Sequence, residues 1–366
     1  MRRFGISIYG VSRKICSGEL SAVAAFEKIC KMGAEVVELV PFGFNLAETP
    51  EMRKDFKEAS AKLGVPIGNY SLNANFLMLT PEQYDAEMAR VKRHMDMVSD
   101  MEIPTMRVDS AAFRRPMSEN TMEKFQAELP LIVRTYEELC DYAKPLGVTV
   151  LLENHGFHAN GSERVRQIMT SVRRDNFAHQ LDVGNYTCVD DIPEIAVKKM
   201  IPFAKTIHMK DFYLRPAHRD PGGAVEFSCE NSWFRSVNGT FLRGSILAQG
   251  DIDIWDVMRT IKNSSFDGDI YLEYCAYINV FEYVAGALRK ADPQAYEEIV
   301  TYLSSSAKGE MLAYAEYYKK YQKSFVGKLS SSINNAYLIA NGSPSGSQSY
   351  GLVVDLTVAY FDGAFD

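Results

Sequence analysis

The chain has 366 residues, 46% of them hydrophobic and 24% charged, with a formal net charge of −7. That is globular composition, and the length suits two medium domains or one large α/β barrel with an appendage. Acidic and basic residues are mixed along the chain, which argues against a nucleic-acid partner.

No apolar run approaches membrane-spanning length, and Met1-Arg2-Arg3-Phe4 has no apolar stretch behind its two charges. Neither a membrane span nor a signal peptide is expected. The six cysteines are scattered without a Cys-x-x-Cys pair, as reduced thiols in a cytoplasmic protein would be.

Short apolar strands alternate with amphipathic helices from the first residues onward. Residues 4–9 read as a strand, 19–32 carry apolar positions at helical spacing, and Gly33 is placed to stop that helix. The same rhythm predicts strands at 36–40, 65–70, 105–109 and 148–152, with helices at 52–63, 81–101, 121–143 and 163–169. Strands at 178–181, 206–209 and 270–272 follow, with helices at 192–200, 254–261 and 280–290. Val148 to Leu152 is nearly all apolar, as a parallel strand covered on both faces must be.

Eight such units in about 290 residues predict a (β/α)8 TIM barrel over residues 1–292. The competing doubly wound sheet lacks a Gly-x-Gly-x-x-Gly turn after its first strand.

Two segments break the rhythm. Leu214 to Gly250, rich in Arg, Pro, Gly and aromatics, is a long loop after the seventh strand that would stand over the barrel mouth. Trp233 and Phe241 there either roof a pocket or pack the loop. Residues 293–326 read as a helical C-terminal extension with a Tyr-rich face. Residues 327–366 form a low-complexity tail with no functional reading.

Catalytic groups of a TIM barrel sit at the C-terminal ends of its strands. Strand five ends in Leu152-Glu153-Asn154-His155 and strand six in Leu181-Asp182-Val183-Gly184-Asn185. Strand seven holds Ile207-His208-Met209-Lys210-Asp211, and strand eight ends in Leu272-Glu273. Three carboxylates gathered at one rim repel, and buried charge is costly unless paired or metal-bound.

Glu153, Asp182, His208 and Glu273 are therefore the expected ligands of one divalent cation. Three oxygens and one imidazole suit Mn²⁺ first, with Mg²⁺ or Co²⁺ as alternatives. Taken singly, each acid could instead pair with an Arg or a helix N-terminus.

His155 is either a substrate-facing acid/base group or a satisfied structural histidine. Arg107, at the end of strand four, could bind a substrate oxygen or pair with Glu38 or Asp109. Lys210 likewise reaches substrate or a carboxylate.

With Gln249-Gly250-Asp251-Ile252-Asp253 and Phe266-Asp267-Gly268, these motifs resemble the xylose isomerase-like TIM barrels over about residues 3–290. The resemblance implies that Glu153, Asp182, His208 and Glu273 hold the metal and that Glu153 and Glu273 act as an acid/base pair. Many sugar epimerases of the family carry His three residues after the metal Asp, where this chain has Asn185. The family's endonuclease branch needs a histidine cluster that six histidines, most of them away from strand ends, do not supply.

The expected function is a sugar isomerase or epimerase that removes the proton α to a carbonyl. Glu153, Glu273 and His155 are its catalytic residues, and Arg107, Asn185 and Lys210 bind substrate. One alternative is a lyase that cleaves 3-oxo-C-glycosides by β-elimination. His155 is then its base, and the chain is the large subunit of a pair. Another is a carbohydrate-binding barrel without activity. A homo-oligomer is expected, with a small partner subunit in the lyase case.

Overall fold

The computed structural model describes residues 2–111, 117–225, 233–245 and 247–273. The expected helix at 280–290, the extension 293–326 and the tail 327–366 lie outside the described residues, as do Cys229 and Cys275. The other four cysteines are free thiols.

Eight parallel strands close a barrel. They are β1 (Arg3–Ser7), β2 (Val36–Leu39), β3 (Ile67–Leu72), β4 (Thr105–Val108), β5 (Thr149–Glu153), β6 (Phe177–Asp182) and β7 (Ala204–Met209), then the closing strand β11 (Asp269–Leu272). β11 lies between β7 and β1, with Tyr271 beside both His208 and Gly5. β2, β3 and β4 are buried along their whole length, although each carries at least one polar side chain, Glu38, Asn69, Ser71, Thr105 or Arg107.

The helices form the outer ring, each with an apolar face on the barrel. α2 (Ala22–Lys31) starts at Ser21, whose hydroxyl accepts from the amide of Ala24, and α3 (Pro50–Leu63) stops at Gly64 in the left-handed conformation. Phe26 and Phe56 meet edge to face between these two helices, and both are fully buried. Burying each such ring stabilises the fold by roughly 1.5–3 kcal/mol.

α4 (Pro81–Asp100) opens with a reciprocal Thr80–Gln83 capping box, and α5 (Met122–Ala143) starts at Thr121. α6 (Ser162–Ser171), α7 (Pro193–Met200) and α8 (Ile254–Lys262) complete the described ring after the short α1 (Ser12–Cys16).

The floor of the barrel is filled by Tyr271, 0% exposed. Its hydroxyl lies 2.3 Å from where a Cβ on Gly68 would stand, so the third strand must carry glycine there.

Above Tyr271 comes a polar layer. Glu38 Oε1 accepts from Asn69 Nδ2 at 2.7 Å and Ser71 Oγ at 2.6 Å, while Thr105 Oγ1 donates to Asn69 Oδ1 at 2.7 Å.

The segment read as a long loop has structure of its own. β8 (Phe212–Arg215), β9 (Phe234–Arg235) and β10 (Phe241–Gly244) form an antiparallel sheet in the order β8-β10-β9. Asp211, 1% exposed, ties the far end of this insert to the barrel. Its carboxylate accepts from the amides of Phe212 and Gly250, both at 2.8 Å. A Cβ on Gly250 would stand 2.2 Å from Asp211 Oδ1, so the Lys210-Asp211 and Gln249-Gly250 motifs are two halves of one contact.

Candidate functional site

The ends of β5, β6, β7 and β11 bring Glu153, Asp182, His208 and Glu273 together. Each offers one ligand atom, and these four atoms lie within 4.8 Å of one another. Glu153 is 3% exposed, Asp182 0% and His208 2%.

His208 Nδ1 faces the three acids, 3.2 Å from Glu273 Oε2, 3.4 Å from Glu153 Oε1 and 3.8 Å from Asp182 Oδ2. On the other side of the ring, Nε2–H donates to Glu38 Oε1 at 2.9 Å. That bond keeps a proton on Nε2, so that Nδ1 is the nitrogen that can ligate once its own proton is displaced.

Two further observations fit a cation here. Asp182 Oδ2 is buried and has no geometrically good hydrogen bond, its close cationic neighbour being Lys210 Nζ at 3.1 Å. Ligand atoms about 2.1–2.3 Å from a common centre lie up to roughly 4.5 Å apart, so the cluster needs only a small contraction. The donor set is hard and anionic, and it can hold a divalent cation.

Without one, the electrostatics show the strain of three acids in one place. Burial pushes Asp182 up, and Lys210 does not fully offset it. Burial acts on Glu273 too, but Lys210 and His208 outweigh it and hold that carboxyl well below its usual range. Burial disfavours charge on His208, yet Glu38 and the three acids raise it well above an ordinary imidazole.

A second group adjoins the first through Glu153. Arg107 Nη1 lies 2.5 Å from Asp109 Oδ2, and its Nε lies 3.2 Å from Glu153 Oε2. The pairing that sequence left open for Arg107 is thus with Asp109 and Glu153. His155 Nδ1 sits 3.1 Å from Asp109 Oδ2. Burial lowers the affinity of His155 for a proton, but Asp109 and Glu153 prevail and raise it. A histidine steadied by a buried carboxylate is the arrangement a general base needs.

A cavity of about 170 Å³ opens beside these groups. Asn73, Arg107, His155 and Asn185 line it from the ends of β3 to β6. Tyr9, Val40, Phe42, Phe212 and Phe234 line it from the β1, β2 and β7 side, so one wall is polar and the other largely aromatic. Glu273, His208 and Lys210 belong to the lining, whereas Glu153 and Asp182 do not.

All the substrate-binding residues expected from sequence therefore reach the cavity. Asn185 also donates to Glu153 Oε1 at 3.3 Å, and Lys210 pairs with Asp182 and Glu273.

The aromatic wall was not foreseen. Trp233 and Phe241 do not line the cavity. Trp233 packs beneath Arg215 and Arg243, and Phe241 beneath Arg235. Glu38 was missed as the partner of His208, although an acid inside Val36-Val37-Glu38-Leu39-Val40 was a signal that a buried charge required one.

A family model described as a xylose isomerase-like TIM barrel matches residues 26–304. A second model, for a family of unknown function, matches residues 263–358. No curated protein sequence matches the chain.

Among solved structures, the chain is similar to apo 3-keto-D-glucoside 4-epimerase from E. coli, with 13% identity, a TM-score of 0.55, and 79% of this chain and 100% of that one covered. A xylose isomerase-like TIM barrel protein from Mycobacterium smegmatis, in complex with magnesium, is 15% identical at a TM-score of 0.55, covering 74% of this chain and 90% of its own. D-psicose 3-epimerase from Clostridium cellulolyticum H10, solved with D-tagatose, is 13% identical at 0.53, covering 74% and 84%. At these identities the likeness is one of fold.

Proposed function

We propose an activity from one premise: this chain belongs to the xylose isomerase-like TIM barrel family. The reading is a divalent-cation-dependent sugar isomerase or epimerase that removes the proton beside a carbonyl of a keto or hydroxy sugar. The observation that carries it is the convergence of Glu153, Asp182, His208 and Glu273 at the edge of a cavity. Two of the structurally similar proteins are sugar 3- and 4-epimerases, which agrees with this class.

These four residues hold the cation, with Mn²⁺ as the first candidate and Mg²⁺ or Co²⁺ as alternatives. When bound, a divalent cation supplies Lewis-acid polarisation of the carbonyl, worth several kcal/mol of charge stabilisation.

Glu273 takes the proton in this reading, which its position in the cavity lining supports. His155, three strands away round the barrel and also in the lining, returns one from another direction in this reading. Return to the opposite face of the same carbon gives epimerisation, and return to the neighbouring carbon gives isomerisation. Glu153, held by Arg107 and outside the cavity lining, acts as a cation ligand, and His155 takes the second place in the acid/base pair. Arg107, Asn185 and Lys210 donate to substrate oxygens, and the aromatic wall covers the apolar face of the sugar.

A second reading follows from the His155–Asp109 pair and the aromatic wall. With a 3-oxo-C-glycoside, His155 removes the proton from C2 and the electron pair forms the C1–C2 double bond. The C1–aglycone bond breaks, and the aglycone leaves with a proton. The aromatic wall has the chemistry to hold such an aglycone.

Incubation with Mn²⁺ and keto sugars in D₂O tests both. Solvent deuterium at the carbon beside the carbonyl, lost in Glu273→Gln, is the expected result. Turnover with no deuterium incorporated would rule out proton abstraction. Aglycone release confined to 3-oxo-C-glycosides selects the lyase.

A further inference from the structure

Lys210, assigned above to a substrate oxygen, is engaged in this structure by two of the proposed cation ligands. It follows β7 two residues after His208, and it is 7% exposed. Its stem crosses Gly184, where a Cβ would come within 3.0 Å of both Lys210 Cβ and Cγ. Glycine after the Asp182 strand is what lets the lysine lie there. Its Nζ ends 2.6 Å from Glu273 Oε2, 3.1 Å from Asp182 Oδ2 and 3.3 Å from Asn185 Oδ1.

The two carboxylate oxygens are the ones that approach His208 Nδ1 at 3.2 Å and 3.8 Å. An ammonium group and a divalent cation would thus share the same two oxygens. Like charges at such separation in a buried site repel strongly, since little solvent screens them. The lysine also lines the cavity, so its ammonium has a place to go.

We propose that Lys210 is a built-in counter-cation, which holds the carboxylate cluster together when no metal is bound and gives up Asp182 and Glu273 to the incoming ion. The inference rests on the cation site proposed above. It adds that the affinity of the site is deliberately weakened by its own lysine, and that metal loading swings the ammonium toward the cavity, where a substrate oxygen can receive it.

Calorimetric titration of wild type and Lys210→Gln with Mn²⁺ tests it. The amide keeps the reach and hydrogen bonding of the side chain without its charge. Lys210→Gln is expected to bind Mn²⁺ roughly tenfold more tightly. It should also melt at a lower temperature in EDTA, with the gap closing in saturating Mn²⁺. Equal or weaker binding by Lys210→Gln overturns the proposal while leaving the cation site intact. Wild type that binds no Mn²⁺ removes the site and the proposal together.

A second measurement needs no variant. Pulse acetylation of wild type, read by mass spectrometry at Lys210, should increase when Mn²⁺ is added, and unchanged or reduced labelling overturns the proposal.

Discussion

His208 Nε2 lies 2.9 Å from Glu38 Oε1, and this contact ties the second strand of the barrel to the seventh. Glu38 is 0% exposed and also accepts from Asn69 and Ser71, so the imidazole is held by a carboxylate that is itself fixed. A partner of this kind aims the ligating nitrogen and strengthens it as a donor. Glu38→Gln keeps the volume but loses the charge. It is expected to weaken Mn²⁺ binding about 10- to 100-fold by calorimetric titration. Unchanged affinity would mean that packing alone orients His208.

The same contact sets the proton balance. Although burial opposes it, Glu38 and the three acids keep His208 protonated well above the usual imidazole range. Ligation through Nδ1 must displace that proton, so affinity falls as pH falls. Titrating Mn²⁺ at pH 7 in buffers of different ionisation enthalpy should show about one proton released per ion. No buffer dependence would contradict the assignment of His208 as a protonated ligand.

His155 stands apart from the ligand set, steadied by Asp109 at 3.1 Å. His155→Gln is expected to lower kcat at least about a hundredfold while Mn²⁺ affinity stays near that of wild type. A loss of cation binding equal to the loss of rate would make His155 a structural support of the metal centre.

Asp211 predicts a pH effect on folding. Burial raises its carboxyl to about 7 from an ordinary value of 3.8, against the pull of the Gly250 and Phe212 amides. Between those two values the folded chain keeps a proton that the unfolded chain has released. The contribution of this group to stability therefore falls as pH rises through that window and is flat above it. Relative to Asp211→Asn, wild type should lose stability between pH 4 and 7 in urea titrations. Parallel profiles for the two proteins would exclude a raised carboxyl.

Much of the architecture was legible because parallel barrel strands are buried on both faces and read as apolar runs. Val150 to Leu152 is such a run, Val36 to Leu39 is one apart from Glu38, and the helix stops at Gly33 and Gly64 marked the intervals between strands. The insert read only as a loop because its short strands, Phe212–Arg215, Phe234–Arg235 and Phe241–Gly244, carry arginines and are separated by Pro- and Gly-rich stretches rather than by helices.

At the site, Glu153, Asp182, His208 and Glu273 were visible because each closes or ends an apolar strand. Spacing along the chain does not reveal which side chains meet across the barrel. That is why the aromatic wall of Tyr9, Phe42, Phe212 and Phe234 emerged only in three dimensions. Arg107 and Lys210 were ambiguous for a related reason, since a long cationic side chain can satisfy a carboxylate or a substrate from the same Cα.

The convergence of four ligand atoms is the claim on which the rest depends, and anomalous diffraction from crystals grown with Mn²⁺ tests it most directly. The account predicts one strong peak about 2.2 Å from Glu153, Asp182, His208 Nδ1 and Glu273, with the Lys210 ammonium moved off the two acids. A peak elsewhere, or none with Lys210 still bridging Asp182 and Glu273, would contradict it.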